Sequence, residues 1–274
     1  MDTLIKKLKD FGEIAKDLSN EAELQKLFED LAPAFLYGGY IQVRNEYKVY
    51  IRTVEFYFHS EKDNGIHDPI VYHRNGRGLK KVPYFPIMSL NAHNSGYDIT
   101  FESKDNYRAS ALIRSYEVIS IEKENKNEDC KYLEWNKKEN MFTDSKERKN
   151  ITQSTYLYYL INGFSICKDN NENNTINENN TINENNRIIW VDESLELKNT
   201  CIKSYKRANV PLYRPDGNDY IKITKDFYHN NRDYVENLHP ELKKSEPHFF
   251  TSGKDICLQD SKLWQFRIDE IKNK

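Results

Sequence analysis

Residues 47–58, Y-K-V-Y-I-R-T-V-E-F-Y-F, constrain the fold more than any other stretch of the chain. They are rich in Val, Ile, Thr, Tyr and Phe and hold neither Gly nor Pro, which is the composition of a β-strand. Side chains alternate along a strand. The sequence therefore predicts Val49, Ile51, Thr53, Glu55 and Tyr57 on one face and Tyr50, Arg52, Val54, Phe56 and Phe58 on the other. An apolar face that ends in a carboxylate beside a phenol is where a catalytic acid or base can sit. Behind the strand come Asp68, His73 and the loop H-R-N-G-R-G-L-K-K (73–81), in which Arg74, Arg77, Lys80 and Lys81 place four cations among nine residues.

Around this strand the chain reads as an α+β protein. Leu4, Ile5, Leu8, Phe11 and Ile14 recur at helical spacing and predict a helix over 3–17. A second is predicted over 20–31, capped by Ser19 or Asn20, with Glu21 and Glu23 in its first turn. Strands are predicted at 39–44, 47–59, 83–90, 96–103 and 108–122, and a helix at 151–162 that stops at Gly163. Residues 122–150 are charged and poor in large apolar groups, so they read as an exposed insertion. Residues 171–188 are three copies of a hexapeptide (N-E-N-N-T-I, N-E-N-N-T-I, N-E-N-N-R-I), read as a surface loop within a second insertion at 168–188. The tail, 189–274, mixes strands with loops and closes on a strand at 264–268. With no boundary between these segments, 1–274 reads as a single domain: a curved, mostly antiparallel β-sheet flanked by helices.

The succession of motifs resembles the alkyladenine (3-methyladenine, methylpurine) DNA glycosylases. That family runs L-A-x-x-F-L-G-x-x-L, a strand carrying V-E-x-E-A-Y, an Asp-x-x-x-His stretch, a basic Gly-rich loop, a Gly-led strand and an A-x-x-L-L-R strand. Here these are L-A-P-A-F-L-Y-G-G (31–39), Glu55-Phe56-Tyr57, Asp68 with His73, the 73–81 loop, G-Y-D-I-T-F (96–101) and A-S-A-L-I-R (109–114). Weaker similarity continues through I-W-V-D (189–192), I-K-S-Y-K-R-A-N-V (202–210) and L-W-Q-F-R-I (263–268).

The resemblance implies hydrolysis of the N-glycosidic bond of a modified base flipped out of duplex DNA. It implies that Glu55 activates water and that Tyr57 and His73 hold the base. It gives Arg114 a phosphate contact or support of the pocket. Asp98 is the nearest match to the family's pocket asparagine; a carboxylate there favours a base that presents donors, such as an exocyclic amine. Contacts to DNA fall to Arg74, Arg77, Lys80, Lys81 and Arg114. Where the family places a tyrosine that plugs the vacated gap, this chain has Ser95, preceded by L-N-A-H-N (90–94). His93 and Asn94, or Leu90 and Asn91, are the candidates for that task. No lysine is placed for a Schiff base, so the expectation is a monofunctional, monomeric enzyme without cofactor or metal. The alternative is a non-catalytic nucleic-acid-binding module on the same fold.

Charge and cysteine usage bound these readings. Net charge is −2 and the isoelectric point about 6.4, so phosphate contacts must come from local patches. The 74–81 loop is one, and Lys203, Lys206, Arg207 and Arg214 form another. The four cysteines show no C-x-x-C spacing, and four histidines (59, 67, 73 and 93) occur without H-E-x-x-H. The scattered cysteines suit reduced thiols, no apolar run reaches membrane-spanning length and the N-terminus lacks a signal peptide's apolar core, so a cytoplasmic protein is the expectation. Walker, dinucleotide-binding and serine-hydrolase motifs are absent.

Overall fold

Two amphipathic helices open the chain and decide which face of the sheet is covered. In α1 (Leu4–Ala15) the buried stripe is Leu4, Leu8, Phe11 and Ala15, and the Thr3 side chain caps the first turn by accepting from Lys6 N. Asn20 caps α2 (Glu21–Leu36) by accepting from Ala22 N. The second helix outruns its predicted end at residue 31 by passing through Pro33. Proline forfeits one helical hydrogen bond, but the Pro33 carbonyl still accepts from Tyr37 N at 2.8 Å, so the last turn survives.

The computed structural model describes residues 3–71, 83–93, 95–162, 188–207, 210–217, 219–243, 248–249, 256–258 and 262–271. The strands beneath the helices are β1 (Gly39–Val43), β2 (Tyr47–Ser60), β3 (Ser89–His93), β4 (Gly96–Thr100) and β5 (Tyr107–Ser120). Then come α3 (Ile121–Asn125), β6 (Tyr132–Asn136), β7 (Met141–Ser145), a 3-10 turn (Ser154–Tyr156) leading into α4 (Leu157–Asn162), β8 (Ile188–Asp192) and β9 (Thr200–Tyr205). The tail adds β10 (Val210–Pro211), β11 (Tyr213–Asp216), β12 (Asp219–Lys222), α5 (Lys225–Asn230), α6 (Arg232–Leu238), β13 (His248–Phe249), β14 (Ile256–Leu258) and β15 (Gln265–Glu270). Among the described residues, ten strands form one curled, half-barrel antiparallel sheet in an α+β single domain. Its main path is β3-β4-β5-β2-β1-β8; β15 pairs with β2 and β9, and the β6–β7 hairpin joins β5.

The core lies between the helices and one face of this sheet. Phe28 of α2 stacks on Phe56 of β2 with ring centroids 4.6 Å apart, and Trp264 meets Phe28 edge-on at 5.2 Å. Val49, Ile51, Val54, Phe56 and Phe58 of β2 all belong to this core, as do Ala109, Ala111, Ile113, Tyr116 and Val118 of β5. That pattern corrects the strict alternation expected of residues 47–58. The pairing slips between Ile51 and Thr53 and slips back between Thr53 and Val54: Ile51 faces Tyr116, Thr53 faces Ser115 and Val54 faces Ile113. Arg52 is the extra residue on β2, and Arg114 is the extra residue on β5. Two bulges side by side reverse the parity of both strands. Glu55 and Tyr57 are thereby turned away from the apolar face they were expected to close, onto the face opposite the helices.

Other expectations shift for identifiable reasons. The strand predicted at 83–90 is displaced to Ser89–His93, because Pro83 and Pro86 cannot donate to a ladder. Residues 122–150 are not a bare insertion: Leu133 and Tyr132 pair with Val118 and Ile119, and the hairpin continues the sheet. Buried Leu133 and the stack of Trp135 on Tyr156, 4.2 Å between centroids, hold it down. The tail contains helices as well as strands, and Leu212, Ile223, Tyr228, Val235 and Leu242 form a small apolar cluster of their own. The hexapeptide repeat and nearly all of the 168–188 insertion lie outside the described residues.

Candidate active site

One row of paired residues crosses the sheet on the face opposite the helices. Tyr205 of β9 faces Gln265 of β15, Gln265 faces Glu55, Glu55 faces Leu112, Leu112 faces Asp98 and Asp98 faces Asn91 of β3. Directly opposed residues on antiparallel strands project to the same side. At about 4.8 Å per strand the row is about 24 Å long, and Glu55 lies near its middle.

Glu55 is the best-held residue on this face. Arg114 grips it bidentately: Nη2 donates to Oε1 at 2.6 Å and Nε to Oε2 at 3.1 Å. The Tyr57 hydroxyl donates to Oε1, and Arg114 Nη2 also reaches that hydroxyl at 3.4 Å. Gln265 Nε2 completes the set, 3.4 Å from Oε2. The bulge makes this possible. It sets Arg114 and Ser115 on the same side as Thr53, where Ser115 Oγ donates to Thr53 Oγ1 at 2.7 Å, and leaves the flanking apolar residues on the helix side. Burial, and then the charge of Glu55, push the Tyr57 hydroxyl well above its ordinary pKa, so it remains a neutral donor. Burial works against the charge of Arg114, but Tyr57 and Glu55 outweigh it and raise its pKa.

Glu55 and Asp98 are each only 1% exposed, while the Arg114 side chain keeps 29% of its surface. The opening to this cluster therefore runs past the guanidinium, and a ligand reaches the carboxylates only when a side chain moves.

A second ion pair supports the first from the side. Arg207 Nη1 donates to Asp68 Oδ2 at 2.7 Å and to the Phe56 carbonyl at 3.4 Å. Its guanidinium lies over the ring of Tyr57, 5.1 Å from the centroid, and over the ring of Trp264 at 4.8 Å. Arg207 is 1% exposed and Asp68 2%. This corrects two expectations. Arg207 belongs to the interior and not to a surface patch with Lys203, Lys206 and Arg214. One face of the Tyr57 ring is already covered, so a stacking partner can take at most the other.

The β3–β4 hairpin ends at the pair His93–Gly96, with Ser95 exposed at its tip. That end is clamped by the 3-10 turn and α4. Ser154 Oγ donates to the Ser95 carbonyl at 2.6 Å, and the Tyr158 hydroxyl donates to the Gly96 carbonyl at 2.9 Å and accepts from Gly96 N at 3.1 Å. Gly96 has φ +131°, and a Cβ there would lie 2.8 Å from Ser154 Cβ. Gly96→Ala is expected to cost about 1–3 kcal/mol through backbone strain and this clash. A fall in the urea midpoint with an unchanged slope is the signature to look for.

Of the residues expected at a site, the structure brings Glu55, Tyr57, Arg114 and Asp98 to one face. His73, Arg74, Arg77, Lys80, Lys81 and Asn94 lie outside the described residues, as does the His93 side chain. Arg114 is spent on Glu55. Gln265 and the buried role of Arg207 were not anticipated. Gln265 lies in the closing strand L-W-Q-F-R-I, whose alternation does set Gln265 and Arg267 on the face opposite Trp264, Phe266 and Ile268. Among the described residues no helix is long and apolar enough to cross a membrane. No protein-family model, curated protein or solved structure matches the chain.

Proposed function

We propose that the protein is a monofunctional DNA N-glycosylase that removes a modified base from duplex DNA and leaves an abasic site. The observation that carries this reading is a carboxylate, Glu55, oriented by Arg114 and Tyr57 near the middle of a row of paired residues on the face of the curled sheet opposite the helices. Glycosidic bonds to bases break through a cationic, oxocarbenium-like sugar. Glu55 can stabilise that charge and take a proton from the attacking water. The water oxygen bonds to C1′, the C1′–N electron pair leaves with the base, the water's proton passes to Glu55, and the base gains a proton from solvent as Glu55 returns its own. Tyr57, fixed on one side by Arg207, offers its other ring face to the flipped base. Asp98, on the same row, is a hydrogen-bond acceptor suited to a base amine. His73 completes the base contacts, and the segment carrying Arg74, Arg77, Lys80 and Lys81, with His93 and Asn94, contacts the duplex. The scattered cysteines fit reduced thiols and a cytoplasmic setting, and the protein acts as a monomer.

The burial of Glu55 and the donors already around it favour one alternative: a nucleic-acid-binding module in which the Glu55–Arg114 pair is purely architectural. The two readings separate in one experiment. Purified protein is incubated with duplexes that each carry a single alkylated, deaminated or bulky-modified base, then treated with hot alkali. Strand breaks that require alkali and disappear with Glu55→Gln support the glycosylase. Duplex binding without breaks on any substrate would overturn it and leave the module.

A further inference from the structure

Glu55 has no room for a water in the arrangement described. Its two oxygens receive four donors: Arg114 Nη2 and the Tyr57 hydroxyl on Oε1, Arg114 Nε and Gln265 Nε2 on Oε2. A carboxylate offers about four lone-pair positions, so one donor must leave before a nucleophile can bind. Arg114 is held by charge and by two bonds. The Tyr57 hydroxyl is held between Glu55 and Arg114. Gln265 is neutral and partly exposed, and its 3.4 Å contact is the longest of those to Glu55. It lies on β15 directly opposite Glu55, its backbone fixed between β2 and β9, so its amide can turn without moving the strand.

We propose that Gln265 occupies the place of the nucleophilic water and, once displaced, positions it. This rests on the glycosylase reading above. When the amide rotates, Nε2 leaves Oε2 and the Gln265 carbonyl turns toward the vacated place. A water there donates one hydrogen to Glu55 Oε2 and the other to Gln265 Oε1, which aims an oxygen lone pair at C1′. As the C1′–N bond breaks and its electron pair departs with the base, the water oxygen bonds to C1′. The hydrogen on the Glu55 side passes to Oε2, and the hydrogen on the Gln265 side stays on the new sugar hydroxyl. Gln265 is thus a positioning residue with two settings: a donor that fills the resting carboxylate and an acceptor that orients its water.

Methanol makes the distinction measurable. It has one O–H where water has two, so it can satisfy Glu55 but not Gln265 as well. The wild-type site should therefore discriminate against methanol as nucleophile, and Gln265→Met, of similar reach but apolar, should discriminate less. The assay uses the duplex from the modified-base panel that the wild type opens fastest, under single-turnover conditions in methanol–water. The expected result for Gln265→Met is a rate at saturating protein lowered roughly 10- to 100-fold, with Kd for that duplex and Tm unchanged. The ratio of methyl glycoside to abasic hemiacetal at that position of the strand should also rise above the wild-type ratio. If the methionine variant is destabilised, Gln265→Ala serves, because it leaves the β15 backbone pairing intact. A variant as fast as wild type overturns the role. A slower variant with an unchanged product ratio overturns it too and assigns Gln265 to packing. Should the wild type open no duplex in the panel, the glycosylase reading itself has failed, which is a different result from either.

Discussion

Glu55→Gln is expected to slow single-turnover base release by about 10²- to 10⁴-fold, the usual contribution of a positioned general base, with duplex affinity retained. The substitution is close to isosteric, yet it is not silent for the fold. Every direction around the Glu55 oxygens is filled by a donor. Whichever way a glutamine amide turns, its NH2 meets Arg114 or its neighbours, and a mismatched buried polar group costs about 1–3 kcal/mol. The activity loss must therefore be read on protein shown to be folded by its circular dichroism and thermal midpoint. Base release within tenfold of wild type on that folded variant would remove Glu55 from the chemistry.

The largest effect on stability is expected at Asp68. Asp68→Ala takes away the carboxylate 2.7 Å from the buried Arg207 guanidinium, and removing one partner of a buried pair costs about 3–5 kcal/mol. The Phe56 carbonyl and the rings of Tyr57 and Trp264 remain near Arg207. A double replacement, Asp68→Leu with Arg207→Met, should recover much of the loss, because apolar groups of similar volume need no partner. Urea unfolding of the two variants, side by side, checks both statements.

The same pair predicts a pH dependence. Burial alone would raise the Asp68 carboxyl, but the charges of Arg207 and Lys262, together with hydrogen bonds from Arg207 and Ile70 N, outweigh it and hold the folded pKa below the ordinary 3.8. A depressed carboxylate binds protons more weakly in the folded than in the unfolded chain. Its contribution is complete above the unfolded value and is lost as pH falls through the folded one. Wild-type stability should therefore drop on acidification below about pH 4 more steeply than that of Asp68→Ala. Parallel curves would show that the pair adds nothing through ionisation.

Much of the scaffold was legible because it follows local rules. The β-branched and aromatic runs at 47–58 and 108–120 became β2 and β5, and the spacing of Leu4, Leu8 and Phe11 became the buried stripe of α1. Glu55, Tyr57 and Arg114 were legible as residues but not as a cluster. Their grouping depends on a slip in pairing that two strands make together, and neither strand records it alone. Arg207 was read as a surface cation since sequence carries no sign of a partner 139 residues away. The 132–145 hairpin was hidden by the charges around it, although Tyr132, Leu133 and Trp135 hold it to the sheet.

The paired bulges also limit how this chain can change. Each strand gains half a step at the slip, and the two gains cancel, so the strands on either side keep their frames. Losing Arg52 alone would leave β2 alternating strictly, with Val49, Ile51, Val54 and Phe56 still on the core face and Glu55 and Tyr57 still on the other, but opposite a β5 that keeps its extra residue, Arg114. A bulge on one strand alone bends that strand and sharpens its local twist, so the Arg114 guanidinium would be re-aimed relative to Glu55 while both faces kept their residues. The two extra residues, some sixty positions apart in the chain, Arg52 and Arg114, thus set the aim of the Glu55–Arg114 pair and not the choice of face, and the loss of either one would disturb that pair first.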